Sequence, residues 1–481
     1  MQKTLTTLAI VATSGTALAQ SGLDIDRAYA AELRADANTR SSLLGTNNAA
    51  GITVDVFTQF RYSYNSRDAV APDAAFTSTV NGTAVAGSSA DFGDNDTTAG
   101  FSLPRTQIRM AGGVEGTDIS GVLSFDFGGA FDRGFSAGNG GSAVATDIGD
   151  GDATLREAYG AWALDDNWTF VFGLFDNPIF FEDSIAPERS QGVEMSNTAT
   201  FFDVGYTEGI ALSYANDEMK FVGALSDGPA LGLGPSQPAN SFYTSGGESD
   251  ISITGRLDWL FSGTWDQFSQ FASWQGSNDG LRVGGGIHWS SRGDTNPNAV
   301  TSSVFNAAAV ALGTTVDTED VFVWTVDAQY VSDGWGLFAA YQSANVDADF
   351  TSGTSADATF DGFVLQGNAF LSSQFEAFAR YDIIFLEDDA SVGLPASSED
   401  KYSTLTVGMN YYLVPESFAA RFSLDVSFAL DDSSGIDYFS NFAGDAGRTG
   451  TLGGGADTGG AGSFSQADDE FMIRAQMSLL F

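Results

Sequence analysis

Arginines stand singly in many short segments whose other residues alternate between apolar and polar. In a strand, residues of one parity share a face, so each such arginine points away from the apolar side. Arginines and carboxylates that line an enclosed passage select solutes by charge. These residues therefore predict a passage that discriminates between ions by charge and catalyses no reaction. Parity places these arginines on the polar face: Arg61, Arg105, Arg109, Arg256, Arg282, Arg380, Arg421 and Arg474.

Carboxylates on the same polar face bring the strands close to charge balance. They are Asp55, Glu115, Asp126, Asp258, Asp327, Asp382 and Asp425. The connection at 177–204 adds an acidic set with one basic residue, namely Glu182, Asp183, Glu188, Arg189 and Glu194. If this connection folds inward, its carboxylates face the arginines of the wall, and an acidic arc favours cations. The alternative is that it lies elsewhere and its charges are solvated.

Residues that could catalyse a reaction are sparse. The one histidine, His288, has the polar parity of its strand, and a lone histidine is more often structural than catalytic. A hydrolase would need a serine with a base nearby, and only His288 or a carboxylate could serve. Acidic runs such as 147–152 and 468–470 indicate hydrated loops, with divalent cations as the alternative, but none has the full calcium-loop spacing. The sequence predicts no enzyme, no metal site and no cofactor.

The elements that must position the charged residues are strands with one apolar face. In residues 471–481, apolar side chains occupy one parity, while Arg474, Gln476 and Ser478 occupy the other. Outer-membrane barrels need this pattern, apolar toward lipid and polar toward a lumen. Its recurrence predicts an all-β fold, a transmembrane antiparallel β-barrel of about sixteen strands. The predicted strands are 51–64, 101–115, 117–129, 152–164, 167–176, 205–216, 218–227, 249–262, 280–290, 319–333, 334–346, 360–371, 373–386, 401–413, 417–430 and 468–481.

The connections between these strands alternate in length, which supports the barrel. Tight turns are predicted at 165–167, 216–217, 333–334, 372–373 and 414–417. Outer-membrane barrels have short turns on the periplasmic side and long loops on the other. The exception is 263–279, which is too long for a turn and indicates either a hidden strand pair or a periplasmic loop. The predicted long connections are 65–100, 130–151, 177–204, 228–248, 291–318, 347–359, 387–400 and 431–467.

The beginning of the chain indicates export. Lys3 precedes an apolar stretch and then the small residues Ala17 and Ala19, which predicts a signal peptide over 1–19. Residues 20–50 are expected to form a periplasmic extension with a helix over 22–45. This helix is a solvated segment, a self-associating helix or a contact with another envelope component. The barrel then occupies 51–481, which leaves no room ahead of it for the plug domain of an active transporter.

The end of the chain and its net charge indicate its partners. Phe481 ends an apolar strand and resembles the terminal signal by which bacterial outer-membrane proteins are recognised for insertion. We therefore expect the bacterial outer membrane as the location, with its lipid and its insertion machinery as partners. The 62 acidic and 20 basic residues give a net charge of −42, which repels nucleic acid.

Several motifs resemble one porin family. Leu103-Pro-Arg105-Thr-Gln-Ile-Arg109, followed by residues 121–127, is similar to the early arginine-containing hairpin of the phosphate-selective porin O/P family. Arg156-Glu-Ala-Tyr159, residues 172–178 and residues 188–190 resemble its following strand pair and third loop. The resemblance implies a sixteen-stranded, trimeric, water-filled channel with a possible anion preference.

The expected function is passive diffusion of ions and small hydrophilic solutes through the lumen. Barrels of this size leave an aqueous channel, whereas eight-stranded ones are filled by side chains. The mixed wall and acidic connection predict weak cation selectivity or near neutrality. One alternative keeps the fold but makes the lumenal arginines a basis for anion or phosphate preference. Another is a structural barrel that only anchors the outer membrane.

Overall fold

The chain is described here from a computed structural model. The described residues are 52–66, 75–80, 83–88, 97–114, 116–127, 154–227, 250–293, 313–385, 401–431 and 471–481. The predicted signal peptide at 1–19 and the helix at 22–45 lie outside them. So do most residues of the predicted long connections, including the acidic runs.

The described residues contain nineteen strands, and each of the sixteen predicted strands has a counterpart among them. A further hairpin, β2–β3, lies in the first predicted loop. The strands are β1 (Ile52–Ser66), β2 (Ala75–Val80), β3 (Thr83–Ser88), β4 (Thr97–Ser102), β5 (Thr106–Gly113), β6 (Ile119–Asp126), β7 (Thr154–Ala163), β8 (Trp168–Asp176), β9 (Tyr206–Ala215), β10 (Met219–Ser226), β11 (Ile251–Ser262), β12 (Gly280–Arg292), β13 (Val316–Ser332), β14 (Trp335–Phe350), β15 (Ser355–Phe370), β16 (Phe375–Phe385), β17 (Lys401–Tyr412), β18 (Ala420–Ala429) and β19 (Phe471–Leu480).

Among the described residues, seventeen of these strands form one sheet that closes on itself. On β1, Arg61 stands opposite Gln476 of β19 on one side and opposite Ser102 of β4 on the other. Strands β4 and β5 are separated only by residues 103–105 and both pair with β1. They therefore form one interrupted strand, and the protein is a closed antiparallel barrel of sixteen strands, as predicted. Closure hydrogen-bonds the two edges of the sheet to each other. Lipid requires this, because it offers no hydrogen-bond partner to unpaired backbone N–H and C=O groups.

The chain divides into two compact units, residues 1–53 with 111–120 and residues 54–110 with 121–481. The described part of the first unit contains a tight turn. In it the Val114 amide donates to the carbonyl oxygen of Ile119 at 2.8 Å, and the Thr117 hydroxyl donates to that of Val114 at 2.8 Å. The second unit contains the pairings that close the sheet.

The outer face of the barrel is apolar, and the inner face carries the charges. On β11, Ile253, Leu257 and Trp259 are exposed, whereas Arg256 is buried. On β19, Arg474 is buried on the opposite parity to the apolar row. Lipid tails cannot hydrogen-bond to side chains, so the observed arrangement puts each residue type where its solvation is favourable.

The predicted long connection at 347–359 is wrong. Strand β14 continues to Phe350 and β15 begins at Ser355, so only residues 351–354 form the turn. In this stretch Ala348 and Phe350 are buried, while Asp347 and Asp349 are exposed. A strand that extends beyond the hydrocarbon contacts water on its outer face, so its outward residues can be polar. The sequence of such a stretch then resembles that of a loop.

Candidate pore constriction

The connection between β8 and β9 lies inside the barrel, and we call residues 177–204 the lumenal loop. It contains a short α-helix, α1 (Asn197–Phe202), and a single 3-10 turn (Pro187–Arg189). Among the described residues, no helix is long and apolar enough to cross a bilayer. Side chains of the inner wall that hydrogen-bond to the lumenal loop include Thr254, Arg256, Glu376, Arg380, Thr404, Asn410, Arg421 and Asp425.

Apolar side chains of the lumenal loop form a core with the inner faces of β13 to β16. Phe201 and Phe202 of α1 are buried together with Val323 and Phe360 of the wall. Gly362 makes this approach possible, because a Cβ atom there would lie 2.4 Å from Cγ2 of Thr198. The core removes apolar area from water and so fixes the height of the loop in the barrel.

Glu194 ties the lumenal loop to the other side of the wall. Its carboxylate forms ion pairs with Arg61 and, at 2.6 Å, with Arg105. Arg380 donates to its backbone carbonyl oxygen at 2.9 Å. Burial alone would raise the pKa of Glu194, but the Arg105 and Arg61 guanidinium groups outweigh burial and lower the pKa to about 2. Glu194 therefore stays ionised between two cations, as the inward-folding hypothesis requires.

The other acidic residues of the loop have different environments. Glu182 accepts hydrogen bonds from the amide and hydroxyl of Ser196 at 2.7 and 2.6 Å, and burial raises its pKa. Asp183 has no hydrogen-bond partner for its carboxylate oxygens among the described residues. Its pKa is raised well above the ordinary value, first by burial and then by the nearby carboxylates of Asp203 and Asp176. These two groups are therefore easier to protonate than Glu194.

The remaining loop charges lie near the 3-10 turn. Glu188 is half-buried and makes no ion pair with another described residue. The Arg189 guanidinium donates to the hydroxyl of Ser269 at 3.0 Å. Neither side chain contacts Arg109, which the sequence placed opposite the loop carboxylates.

Arg256 and Arg282 form a buried network on β11 and β12. Arg256 pairs with Asp258 at 2.6 Å and with Asp327 at 2.9 Å. Arg282 pairs with the same two carboxylates, each at 2.6 Å. Its guanidinium also lies 3.4 Å from the ring centroid of Phe181, which belongs to the lumenal loop. Two cations and two anions thus neutralise one another beneath the loop.

Arg380, Arg421 and Arg474 hold the loop from β16, β18 and β19. Arg474 forms a two-bond ion pair with Asp425, both bonds at 2.8 Å, and Asp425 accepts the Val193 amide at 3.2 Å. Arg421 donates to the backbone carbonyl oxygen of Ser190 at 2.6 Å. Arg380 and Arg421 therefore bond directly to the loop backbone, whereas Arg474 acts through Asp425.

Arg109 differs from the buried arginines because it remains half exposed. Its Nε donates to Glu157 at 3.2 Å, and its Nη2 donates to the Tyr159 hydroxyl at 3.4 Å. Parity alone does not place Glu157, because both parities of β7 carry apolar residues. The Arg109 contacts place Glu157 and Tyr159 on the inner face of β7. Arg109 of β5 points inward because it shares its parity with Arg105, which contacts Glu194 of the lumenal loop.

A polar cluster around Glu376 was missed from the sequence. Its carboxylate accepts hydrogen bonds from Gln191, Asn368, Asn410 and Tyr412 at 2.6–2.9 Å. Neutral amides and hydroxyls dominate this cluster, so a search for paired charges does not find it. It fastens Gln191 of the loop to three strands.

His288 is buried on the inner face of β12. Its Nδ1 lies 2.8 Å from the hydroxyl of Thr254 and 3.5 Å from the amide of Asn177. The ring thus connects the wall to the start of the lumenal loop. In the described part of the chain, no group of three or more His, Cys, Asp or Glu side chains has an arrangement that could hold a metal.

The exceptional connection at 263–279 also packs inside the barrel, and we call it the second segment. It contains a 3-10 helix (Trp265–Phe268) and no hidden strand pair. Its Phe271 contacts Phe181 of the lumenal loop and Phe338 of the wall, at 6.1 and 5.0 Å between ring centroids. Trp274 lies in a separate aromatic cluster with Phe370, Tyr412 and Phe418. The lumenal loop and the second segment therefore meet within the lumen.

The family model described as phosphate-selective porin O and P matches residues 81–429. The chain belongs to this porin family. Its fold is similar to that of an anion-selective porin from Comamonas acidovorans, with TM-score 0.50 and 11% identity over 90% of this chain and 100% of the other. It is also similar to the high-pH structure of OprB from Pseudomonas putida, with TM-score 0.51 and 10% identity over 92% of this chain and 96% of the other.

No curated protein matches the chain by sequence. Family membership and fold together make this protein a channel-forming barrel of the bacterial outer membrane, as predicted. At such low identity the two structures inform the fold only.

Proposed function

We propose that this porin is a passive diffusion channel for ions and small hydrophilic solutes, near neutral or weakly cation-selective. The observation that carries the proposal is the pairing of charges inside the barrel. Arg61 and Arg105 share Glu194, Arg256 and Arg282 share two aspartates, and Arg474 pairs with Asp425. A wall whose arginines are matched by carboxylates exerts little net preference between cations and anions. The half-buried Glu188 adds a loop carboxylate without a described ion pair, which favours cations.

Ion selectivity in planar bilayers tests this proposal. Under a gradient of potassium chloride, we expect a reversal potential near zero or of the sign that marks cation preference. Neutralising the half-buried Glu188, as Glu188→Gln, is expected to move the reversal potential toward anion preference. A clear anion preference of the unaltered protein would contradict the proposal.

The alternative is an anion- or phosphate-selective porin that uses its lumenal arginines. The family description and the half-exposed Arg109 favour it. It predicts anion preference in the same gradient and block of chloride current by inorganic phosphate. A purely structural barrel predicts no steady open channel, which the same recording detects.

We propose that this porin catalyses no reaction. We also propose that it assembles as a homotrimer. The half-buried and buried charges described above are all compatible with a passage in which no bond is made or broken. The trimer is what the family resemblance implies. Native mass spectrometry of the detergent-solubilised protein would show three copies, and a lone copy would contradict this assembly.

A further inference from the structure

Water reaches one arc of the described inner wall and is excluded from most of the rest. On β5 and β7, the side chain of Arg109 is 47% exposed and that of Glu157 is 21% exposed. The side chains of Arg282, Arg380 and Arg474 are only 1–3% exposed. All these arginines have the inward parity of their strands. The difference therefore comes from what covers them, not from the face on which they stand.

The cover is formed by the lumenal loop and the second segment together. Phe181 and Ile185 of the loop share one buried apolar cluster with Phe268 and Phe271 of the second segment. The wall side of this cluster includes Leu260, Val331, Phe338, Ala340 and Val364. These positions belong to β11, β13, β14 and β15. Apolar packing at the density of a protein interior leaves no continuous passage for hydrated ions.

We propose that ions cross this porin along the wall of β5 and β7, and that the Arg109–Glu157 pair is the contact that determines its ion selectivity. This inference rests on the proposed channel function and deepens it. The buried arginines position the lumenal loop and do not meet the permeating ion. The path is thus displaced to one side of the barrel.

The geometry of the pair explains why it can act on ions of either sign. Arg109 contacts Glu157 through Nε at 3.2 Å and Tyr159 through Nη2 at 3.4 Å, while almost half of its side chain stays in contact with water. Both charges therefore remain accessible from the passage. Loss of either one leaves the other uncompensated at the surface that ions touch.

Thiol accessibility tests the position of the path. The chain contains no cysteine, so Arg109→Cys and Ser423→Cys each introduce one thiol. Ser423 faces the lumen from β18 but is fully buried beneath the loop, and the substitution is nearly isosteric. We expect a water-soluble methanethiosulfonate reagent to modify residue 109 and reduce the current. Modification at 423 should be at least roughly ten-fold slower, because a buried thiol reacts only in locally opened molecules.

Equal rates at the two positions would overturn the displaced path. The rates are read by mass spectrometry of the vesicle-reconstituted protein and so do not depend on conductance. If no variant conducts, the proposed channel function fails while the accessibility result still stands. If the channel conducts but residue 109 is protected, the displaced path alone fails.

Charge substitution tests the selectivity contact. Arg109→Gln is expected to shift the reversal potential toward cations, Glu157→Gln toward anions, and the double variant back toward the unaltered value. Lys401→Gln is the matched control, since it removes one positive charge from an exposed ion pair at the end of β17. No shift in either single variant, or an equal shift in the control, would overturn the assignment.

Discussion

Glu194 is the residue on which the position of the lumenal loop depends most directly. It is the one described carboxylate that contacts both Arg61 and Arg105, and its backbone carbonyl accepts a bond from Arg380. Removing one partner of a buried ion pair is costly because the other charge is left in a poorly solvated place. The loop side chain and two strands therefore stabilise each other.

We expect Glu194→Gln to lower the free energy of unfolding by about 3–5 kcal/mol, the usual cost of breaking a buried pair. Urea unfolding in lipid vesicles measures this loss. Glu188→Gln is the matched control, because Glu188 belongs to the same loop without a described ion pair, and it should change little. Equal stability of the Glu194 variant and the unaltered protein would contradict the assigned role.

The same ion pair gives a pH dependence of known sign. The pKa of Glu194 is about 2 in the folded protein against an ordinary value of 4.5. Because the folded value is the lower one, the contribution is complete above about pH 4.5 and is lost as pH falls toward 2. The difference in stability between Glu194→Gln and the unaltered protein should therefore shrink over this range. A constant difference would show that ionisation is not involved.

Asp183 gives the opposite pH dependence. Burial and the neighbouring carboxylates raise its pKa in the folded protein, so stability falls as pH rises from 3.8 through the raised value. Asp183→Asn removes this cost, and we expect it to be more stable at pH 8 by about 1.4 kcal/mol per unit of raised pKa. The advantage should vanish below pH 3.8. Asp217→Asn, in an exposed turn, is the control that should show neither effect.

Single residues were only partly predictable from the sequence. Parity indicated which arginines turn inward, because a strand alternates strictly. It could not show that Arg421 bonds to a loop carbonyl or that Glu376 collects neutral donors. Those contacts depend on how the lumenal loop folds. Its short helix and irregular turns show no regular repeat of apolar and polar residues from which their contacts could be predicted.

At the scale of elements, the strands were predictable and the inward connections were not. The sixteen strands follow from apolar and polar alternation, which lipid on one side enforces. The second segment has no such constraint, since its aromatic residues contact other parts of the lumen that are distant in sequence. From the sequence alone, Phe271 and Trp274 fit a strand as well as a loop. Only their contacts with other residues of the lumen distinguish the two.

Trp274 is the test of the second segment. It packs against Phe370, Tyr412 and Phe418, and Trp-to-Ala changes in such sites cost about 3–5 kcal/mol. We expect Trp274→Ala to release the segment and raise single-channel conductance while selectivity stays nearly unchanged. Trp335→Ala, on the outer face, removes an equal side chain from lipid contact and should leave conductance unaltered. Unchanged conductance in Trp274→Ala would mean that the segment does not narrow the passage.

At the scale of the whole molecule, the barrel closes at its last residue. The amide of Phe481 donates to the carbonyl oxygen of Val56 at 2.9 Å, and the return bond is 3.2 Å. The Phe481 side chain is 71% exposed, so it contributes little to the closure itself. Backbone pairing at this position therefore does not depend on the Phe481 side chain.

We expect Phe481→Ala to fold normally into lipid vesicles but to assemble poorly in the outer membrane of cells. The backbone bonds survive the change, whereas the aromatic side chain proposed to be recognised by the insertion machinery is lost. Heat-shifted gel mobility measures both processes. Phe261→Ala removes another exposed aromatic side chain from the outer face and should assemble normally. Equal assembly of the two variants would contradict recognition through Phe481.

The apolar core around α1 has a calorimetric consequence. A barrel filled only with water would already have a hydrated interior, so on unfolding only its lipid-facing side chains would add to the apolar surface exposed to water. Here Phe202, Val323, Phe360 and Met472 are shielded from water inside the wall. Their hydration on unfolding raises the heat capacity further, beyond the contribution of the lipid-facing side chains. Scanning calorimetry should therefore record a positive heat-capacity increment, so that the barrel's stability curves with temperature and reaches a maximum.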